Sequence, residues 1–368
     1  MDGTAVVTTE IAAYHNILEG LAVENSTVAS RFSRKTIYKF IEERLPRLKR
    51  SGEIPEASDI FFKELLDLGS TSMVVSAPIS GVRLDGDIRS FDLACFRFGY
   101  LEDMEIPIFN QSGLSISTTI KDVYDTEIAF QKAENAFRNF AKLIIFISGK
   151  QDKSILIETG LPLKPNVSHE HMYVSTNAYQ IQDEEGRTSS SDIKVIHIEK
   201  IPVNNEFFNS KENLGKLWLL YERKHSGEKL GDLEARVLNS ALALGESAST
   251  NDIRNSILYT CIALEILFSR DEGSLFQKSI GQNVADLFAF IVAKDTESRK
   301  LIAKLTKKVY GMRSAIVHGG DKEMSSENLV VNYYLRGALS ELLTAQRFKK
   351  IKRLSEISEM LVDAQYSY

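Results

Sequence analysis

The sequence predicts an α+β protein in which an N-terminal mixed α/β region is followed by an all-α antiparallel helical bundle. The chain has 368 residues, 43% of them hydrophobic and 26% charged, a composition typical of folded domains. All seven prolines lie at or before position 202, so the remaining residues lack the amino acid that most strongly interrupts helices. Short β-branched and aromatic runs, which are typical of strands, are confined to the first 200 residues.

The first 205 residues alternate between helical and strand patterns. Apolar residues at helical spacing predict helices over 9–23, 34–45, 57–68 and 126–142. Runs rich in β-branched and aromatic residues predict strands over 73–77, 91–98, 143–148, 154–158, 171–175 and 193–198. Residues 1–205 are therefore predicted to form a mixed α/β domain, a sensor or regulator whose topology the pattern does not assign. The segment 206–231 is predicted to be a linker, because 223–231 is rich in polar residues and glycine.

Residues 232–350 predict five helices with short connections, the arrangement of an antiparallel bundle. The helices are expected over 232–245, 251–269, 274–294, 296–318 and 326–348. Asn251, Asp295, Thr296 and Ser325 or Ser326 are candidate N-caps, and the glycine pair 319–320 ends the fourth helix. The remaining residues, 351–368, are predicted to be a basic C-terminal tail.

Composition and charge narrow the class of protein. No apolar run approaches the roughly 20 residues that a membrane span needs, and no signal-peptide pattern is visible. Cys95 and Cys261 lie in apolar surroundings, which is typical of reduced, buried thiols. We therefore expect a soluble cytoplasmic protein. Residues 1–200 carry 22 Lys and Arg against 29 Asp and Glu, whereas residues 201–368 carry 23 against 21, so the helical half is slightly basic.

Arg313 does not fit a plain helical bundle. On a helical wheel that starts at Leu301, the apolar arc covers about 0° to 180° and Arg313 falls at about 120°. A permanent charge on a core-facing arc requires a carboxylate, a phosphate or a subunit interface. His318 falls about 140° away, so the two side chains converge only if the last turn unwinds or if two copies of the helix pack together. Alternatively, both simply complement the helix dipole.

Glu265 is a second exception, because it interrupts the otherwise apolar run 261–268. A carboxylate is seldom buried without a partner. Glu265 is expected either to balance Arg313 inside the bundle or to hold that side chain in position for a phosphate, and the two roles are compatible.

Arg313 and His318 form an R-x4-H motif that is followed by two glycines and ends the fourth helix. The motif resembles the R-x4–6-H signature of the HEPN superfamily, in particular its Apea-like branch. The segment 263–268 is similar to the Ala-Leu-Glu segment of that branch, and the resemblance covers about residues 232–348. Ser314 departs from the family pattern, since many nuclease members carry Asn, Asp or His directly after the arginine.

The resemblance implies a metal-independent endoribonuclease that works as a homodimer, with both motifs meeting at the interface, and a role as an anti-phage defence or toxin effector. RNA supplies the nucleophile, its 2′-OH, so the protein needs only a proton-transfer group and a cation. His318 suits general acid–base catalysis and Arg313 suits bidentate binding of phosphate, with Ser314 and Glu265 in support. The expected products carry a 2′,3′-cyclic phosphate and a 5′-OH. No cofactor is implied, and the sequence identifies no activating or neutralising partner.

Two basic segments are candidates for RNA binding. One lies after the fifth helix and comprises Arg347, Lys349, Lys350, Lys352 and Arg353. The other, 31–50, holds eight cations interleaved with aromatic residues. Either segment is alternatively an ordinary solvated helix face. His169 and His171 lack a third ligand at metal-like spacing, so no metal site is predicted. The alternative function is a non-catalytic module for dimerisation or for nucleotide or RNA binding.

Overall fold

The computed structural model describes residues 16, 19–20, 25–51, 58–103, 113–149, 155–160, 172–175, 180–182, 188–190, 195–198, 200–210, 213–269, 280–320 and 323–366. They form a mixed α/β protein with a small antiparallel sheet and a helical C-terminal region. The chain divides into two compact units, one of residues 1–76 and 117–136 and the other of residues 77–116 and 137–368. This division differs from the boundary predicted at residue 205. The difference arises because Phe140 stacks with Trp218 and Phe96 meets the same ring edge to face, so residues on both sides of position 205 share one aromatic core.

The first unit begins with helices α1 (Ser26–Arg31), α2 (Arg34–Ser51), α3 (Ser58–Phe61) and α4 (Lys63–Leu66). Their buried side chains form one hydrophobic cluster of Val28, Phe32, Ile37, Phe40, Ile41, Phe62 and Leu65. The helix predicted over 34–45 is present and longer, and the one predicted over 57–68 is split in two. The helix predicted over 9–23 lies almost wholly outside the described residues.

Asp125 joins two helix N-termini within this unit. Its Oδ1 accepts a hydrogen bond of 2.7 Å from the amide of Ile128, in the first turn of helix α5 (Thr126–Ser148). Its Oδ2 accepts one of 2.7 Å from the amide of Ser33, directly before α2. Burial by itself would raise the pKa of Asp125, but these bonds favour the carboxylate and hold its pKa below the ordinary value.

The sheet has five strands in the order β3-β4-β5-β1-β6. Their bounds are β1 Thr71–Ser80, β3 Ser90–Leu93, β4 Phe96–Tyr100, β5 Leu114–Val123 and β6 Glu158–Thr159. The single strand predicted over 91–98 is instead the β3–β4 hairpin, with Phe91 opposite Phe98. The chain turns there because Ala94 adopts a left-handed φ of 53°.

Six further strands, which form three pairs, lie outside the five-stranded sheet. Strand β2 (Val82–Arg83) pairs in parallel with β11 (Ile201–Pro202). Strand β7 (Met172–Ser175) pairs with β10 (Val195–Ile198), and β8 (Gln180–Gln182) pairs with β9 (Thr188–Ser190), both antiparallel. The strands predicted over 171–175 and 193–198 are thus present. The strand predicted over 154–158 is reduced to the two residues of β6, of which only Glu158 falls in the predicted range.

The strand predicted over 143–148 is wrong, because these residues form the last turns of α5. All five residues from Leu143 to Ile147 are buried, so the helix is enclosed on every side at this end. A continuous apolar run of this length has the same sequence pattern in a buried helix as in a buried strand.

The segment 206–231 is not an unstructured linker. It contains helices α6 (Glu206–Asn209) and α7 (Lys216–His225). Leu217, Trp218, Leu220 and Tyr221 are buried, and the Trp218 indole donates to the carbonyl of Phe208. The polar stretch after α7 misled the prediction, since it follows a helix with a fully buried face.

The C-terminal region contains a helix at each of the five predicted places. They are α8 (Asp232–Ser249), α9 (Ile253–Phe268), α10 (Ile280–Val292), α11 (Thr296–His318) and α12 (Glu327–Thr344). Helix α9 packs on α8, α10 packs on α11, and α12 contacts all four others. Asp252 rather than Asn251 caps α9, and α12 ends earlier than predicted, at Thr344.

Residues 351–368 were predicted to be a basic tail, but most of them form helix α13 (Leu354–Tyr366). Leu354 and Ile357 are buried, and the helix carries Glu356, Glu359 and Asp363 with no Lys or Arg. Its apolar positions recur at helical spacing, which the basic residues before it obscured. Within the described part of the chain, no helix has the length and apolar character needed to cross a membrane.

Candidate functional site

Helix α11 carries the R-x4-H motif, and its two ends are fixed as the sequence predicts. The Asp295 carboxylate accepts a 2.8 Å hydrogen bond from the amide of Ser298 at the start of the helix. At the other end Gly319 has φ 71° and ψ 23°, the left-handed conformation that closes a helix. The amide of Gly320 then donates to the carbonyl of Ala315. The motif therefore occupies the last regular turns of a helix of 23 residues.

Arg313 lies beside Glu265 of α9. The distance from Nη2 to Oε1 is 3.6 Å, with 41% of the arginine side chain and 30% of the glutamate side chain exposed. This distance is short enough for an ion pair but too long for a good hydrogen bond. Arg313 donates no hydrogen bond to any residue in the described part of the chain. The guanidinium is thus held by charge, and within the described ranges no acceptor engages its N–H groups.

Two weakly acidic groups lie near this ion pair. Burial, and then the negative charge of Glu265, raises the pKa of the Cys261 thiol to about 12, while Arg313 acts in the opposite direction. The same influences raise the pKa of the Tyr310 phenol. The Tyr310 hydroxyl is buried and has no hydrogen-bond partner among the described residues. Both groups therefore stay neutral at physiological pH, and Glu265 and Arg313 are the charged members of the cluster.

His318 is the last residue of α11 and is exposed, as is Ser314 one turn earlier. The helix remains regular through His318, so the last turn does not unwind to bring the imidazole towards Arg313. Five residues of α-helix separate the two side chains by about 140° around the axis and about 7.5 Å along it. Within one chain the guanidinium and the imidazole therefore point in different directions.

The segment after α12 carries five cations, one of which is anchored by contacts within the protein. Arg347 donates a 2.6 Å hydrogen bond to the carbonyl of Ile291, pairs with Glu341 at 3.5 Å and lies over the ring of Phe348. Arg347 is therefore a structural contact. The other four cations are Lys349, Lys350, Lys352 and Arg353, and all five are exposed.

Most described cations of the segment 31–50 are engaged by neighbouring residues. Arg34 pairs with Glu19, Lys35 with Glu127, and Arg44 with Glu64, while the guanidinium of Arg31 lies 5.0 Å from the ring centroid of Tyr124. The side chains of residues 45–50 lie outside the described part of the chain. These contacts favour the alternative interpretation of this segment as a helix face.

Helix α11 itself carries a basic face that was not predicted from the sequence. Residues 300, 304, 307, 311, 314 and 318 share one side of the helix, because their spacing of three or four residues keeps them in line. We call this set the lysine face, and its members are Lys300, Lys304, Lys307, Gly311, Ser314 and His318. All but the half-buried Gly311 are exposed. A search for adjacent cations overlooks such a row, whereas a search at helical spacing would have found it.

Metal binding has no support in the described ranges. They contain no group of three or more His, Cys, Asp or Glu side chains placed to hold a metal ion. His169 and His171, weighed and rejected from the sequence, lie outside the described residues.

The chain was compared with known proteins at three levels. No family model, no curated protein and no solved structure matches it.

Proposed function

We propose that residues 232–350 form a HEPN-like bundle and that the protein is a metal-independent endoribonuclease. One observation carries the proposal. Arg313 is a partly exposed cation that lies 3.6 Å from Glu265 and donates no hydrogen bond to another described residue, and it shares a helix with the exposed His318. A guanidinium and an imidazole are the two groups that RNA cleavage by its own 2′-OH requires.

The chemistry follows from these two side chains. The His318 imidazole accepts the proton of the 2′-OH, whose oxygen attacks the adjacent phosphorus while the bond to the 5′-oxygen breaks. An imidazolium returns a proton to the departing 5′-oxygen, so the products carry a 2′,3′-cyclic phosphate and a 5′-OH. Arg313 binds two phosphate oxygens and stabilises the charge that builds up in the transition state. Glu265 positions the guanidinium, and Ser314 offers one more hydrogen-bond donor.

The helix geometry supports a site shared by two copies of the chain. Since Arg313 and His318 diverge by about 140° on a regular helix, one protomer does not present both to the same phosphate. Packing two α11 helices about a two-fold axis brings the arginine of one copy towards the histidine of the other. We therefore propose a homodimer with two composite sites.

The HEPN resemblance adds a biological setting to this proposal. It favours a cytoplasmic effector of anti-phage defence or a toxin. The Glu265–Arg313 ion pair also supports the second candidate function, a non-catalytic module that dimerises or binds RNA, because a paired arginine serves packing as well as catalysis.

Incubation of the purified protein with RNA in EDTA tests the proposal. Wild type should cleave and leave 2′,3′-cyclic phosphate ends, whereas Arg313→Ala and His318→Ala should each lose about 100-fold or more in rate. Arg254→Ala is the matched control, because Arg254 is exposed at the start of α9 and makes no ion pair with a described residue.

A chimeric substrate makes the same test specific to the mechanism. A 2′-deoxy nucleotide at the scissile position removes the nucleophile and should abolish cleavage there. Cleavage that needs a divalent metal, that survives the 2′-deoxy substitution or that is equal in all variants would refute the nuclease mechanism. Binding of RNA without any cleavage would establish the non-catalytic module instead.

A further inference from the structure

The lysine face runs along α11 towards His318. From residue 300 to residue 318 it spans about 27 Å at 1.5 Å per residue. Its three lysines occupy the first half, two small residues follow, and the histidine stands at the end. The positive charge is thus arranged in a row that leads to the proposed acid–base group.

Among the described residues, few carboxylates balance the charges of this row. Lys300 pairs with Glu297, an exposed ion pair of 2.8 Å that water and salt weaken. Lys304 and Lys307 pair with no carboxylate in the described part of the chain. Like charges three or four residues apart on a helix repel each other and destabilise the helix. The row therefore opposes helix formation, and a polyanion would relieve the repulsion.

The chemistry of the lysine face fits a phosphate backbone. Lysine ammonium groups are point charges that contact phosphates without reading the bases. Gly311 and Ser314 have small side chains, so the sugar–phosphate chain can approach the helix closely before it reaches His318. A single row of cations contacts the phosphates of one strand, whereas a duplex presents two phosphate backbones.

We propose that the lysine face is the track along which a single strand of RNA reaches His318. This proposal rests on the nuclease function proposed above, and it deepens that function by naming the side chains over which RNA approaches His318. It also assigns the approach of RNA to α11 itself, in addition to the basic segment after α12.

Salt-dependent binding tests the track. Wild type is titrated onto a labelled, unstructured 2′-O-methyl RNA, which keeps its phosphates but has no free 2′-OH to cleave. Each lysine–phosphate contact contributes about 0.7 to the slope of log affinity against log salt for a single strand. Lys304→Ala with Lys307→Ala should therefore lower the slope by about 1.4, which corresponds to about 25-fold weaker binding at 0.1 M salt if the affinities converge near 1 M.

Two matched variants serve as controls. Lys304→Arg with Lys307→Arg keeps both charges and should keep the slope. Lys132→Ala with Lys229→Ala removes the same charge from exposed sites elsewhere and should leave the slope unchanged. The proposal is overturned if the alanine pair at 304 and 307 binds like wild type, if wild type does not bind the RNA, or if duplex DNA binds as tightly.

A cleavage assay separates this proposal from the one on which it rests. If the wild type cleaves RNA and the alanine pair at 304 and 307 cleaves it at the same rate, the proposed track is refuted and the nuclease proposal is retained. If the wild type binds RNA through these lysines but does not cleave it, the nuclease proposal is refuted and the lysine face is retained as an RNA-binding surface.

Discussion

Complementation between two inactive variants is the sharpest test of a composite site. Dimers that contain one Arg313→Ala protomer and one His318→Ala protomer should cleave RNA, although neither variant does so alone. The expectation comes from the helix, which rotates about 500° over five residues and so leaves the two side chains about 140° apart in one chain. If each site takes its arginine from one copy and its histidine from the other, the mixed dimer retains one complete site.

The expected magnitude follows from counting sites. A mixed dimer with one intact site of two should show about half of the wild-type rate, against about 1% or less for either variant alone. The assay co-expresses the two variants with different affinity tags, purifies mixed dimers over both tags in turn, and follows RNA cleavage in EDTA.

A second mixed dimer is the decisive control. Pairing a wild-type protomer with an Arg313→Ala/His318→Ala protomer leaves each composite site with one group missing, so this dimer should be inactive. If both groups act within one protomer, the first mixed dimer should be inactive and the second should keep about half of the activity. An inactive first dimer together with a half-active second one would therefore refute the argument from helix rotation.

Three further predictions concern stability and are measured by urea unfolding. Asp125→Asn should lower the free energy of unfolding by about 1–2 kcal/mol at neutral pH, because the asparagine side chain has one acceptor oxygen and so caps only one of the two helices. The pKa of Asp125 is lowered by folding, so this difference should fade as the pH falls below about 4, and a pH-independent difference would contradict it. Gly245→Ala should lower the free energy of unfolding by about 1–3 kcal/mol, because a Cβ at this position would overlap the carbonyl of Lys142. Gly337→Ala is the control, since Gly337 lies in open space on an exposed helix face, and it should leave the stability unchanged or raise it by up to about 1 kcal/mol. Tyr310→Phe should leave the free energy of unfolding unchanged or raise it by about 1 kcal/mol, because it removes a buried hydroxyl that has no hydrogen-bond partner among the described residues. A clear loss of stability would contradict this prediction.

Local signals predicted the helical half of the fold well. Asp295 and Gly319 act within one turn of their own position, so the bounds of α11 follow from capping chemistry alone. The absence of proline after position 202 and the spacing of apolar residues predicted the five helices for the same reason. The buried end of α5 was missed, because burial on all sides erases the periodicity on which the prediction depends. Helix α7 was missed for another reason, since the polar stretch that follows it indicated a linker.

The candidate site, like the fold, was predicted from the sequence only in part. The sequence by itself determined that Arg313 and His318 close one helix and that Glu265 interrupts an apolar run, since both are matters of order and spacing along the chain. Only the tertiary structure decided that Glu265 lies 3.6 Å from Arg313, that Arg347 is used by the fold, and that a row of lysines on α11 faces solvent. The physical reason is that spacing fixes which side chains share a face of a helix, whereas the packing of the neighbouring helices decides which face is covered and which charges find partners.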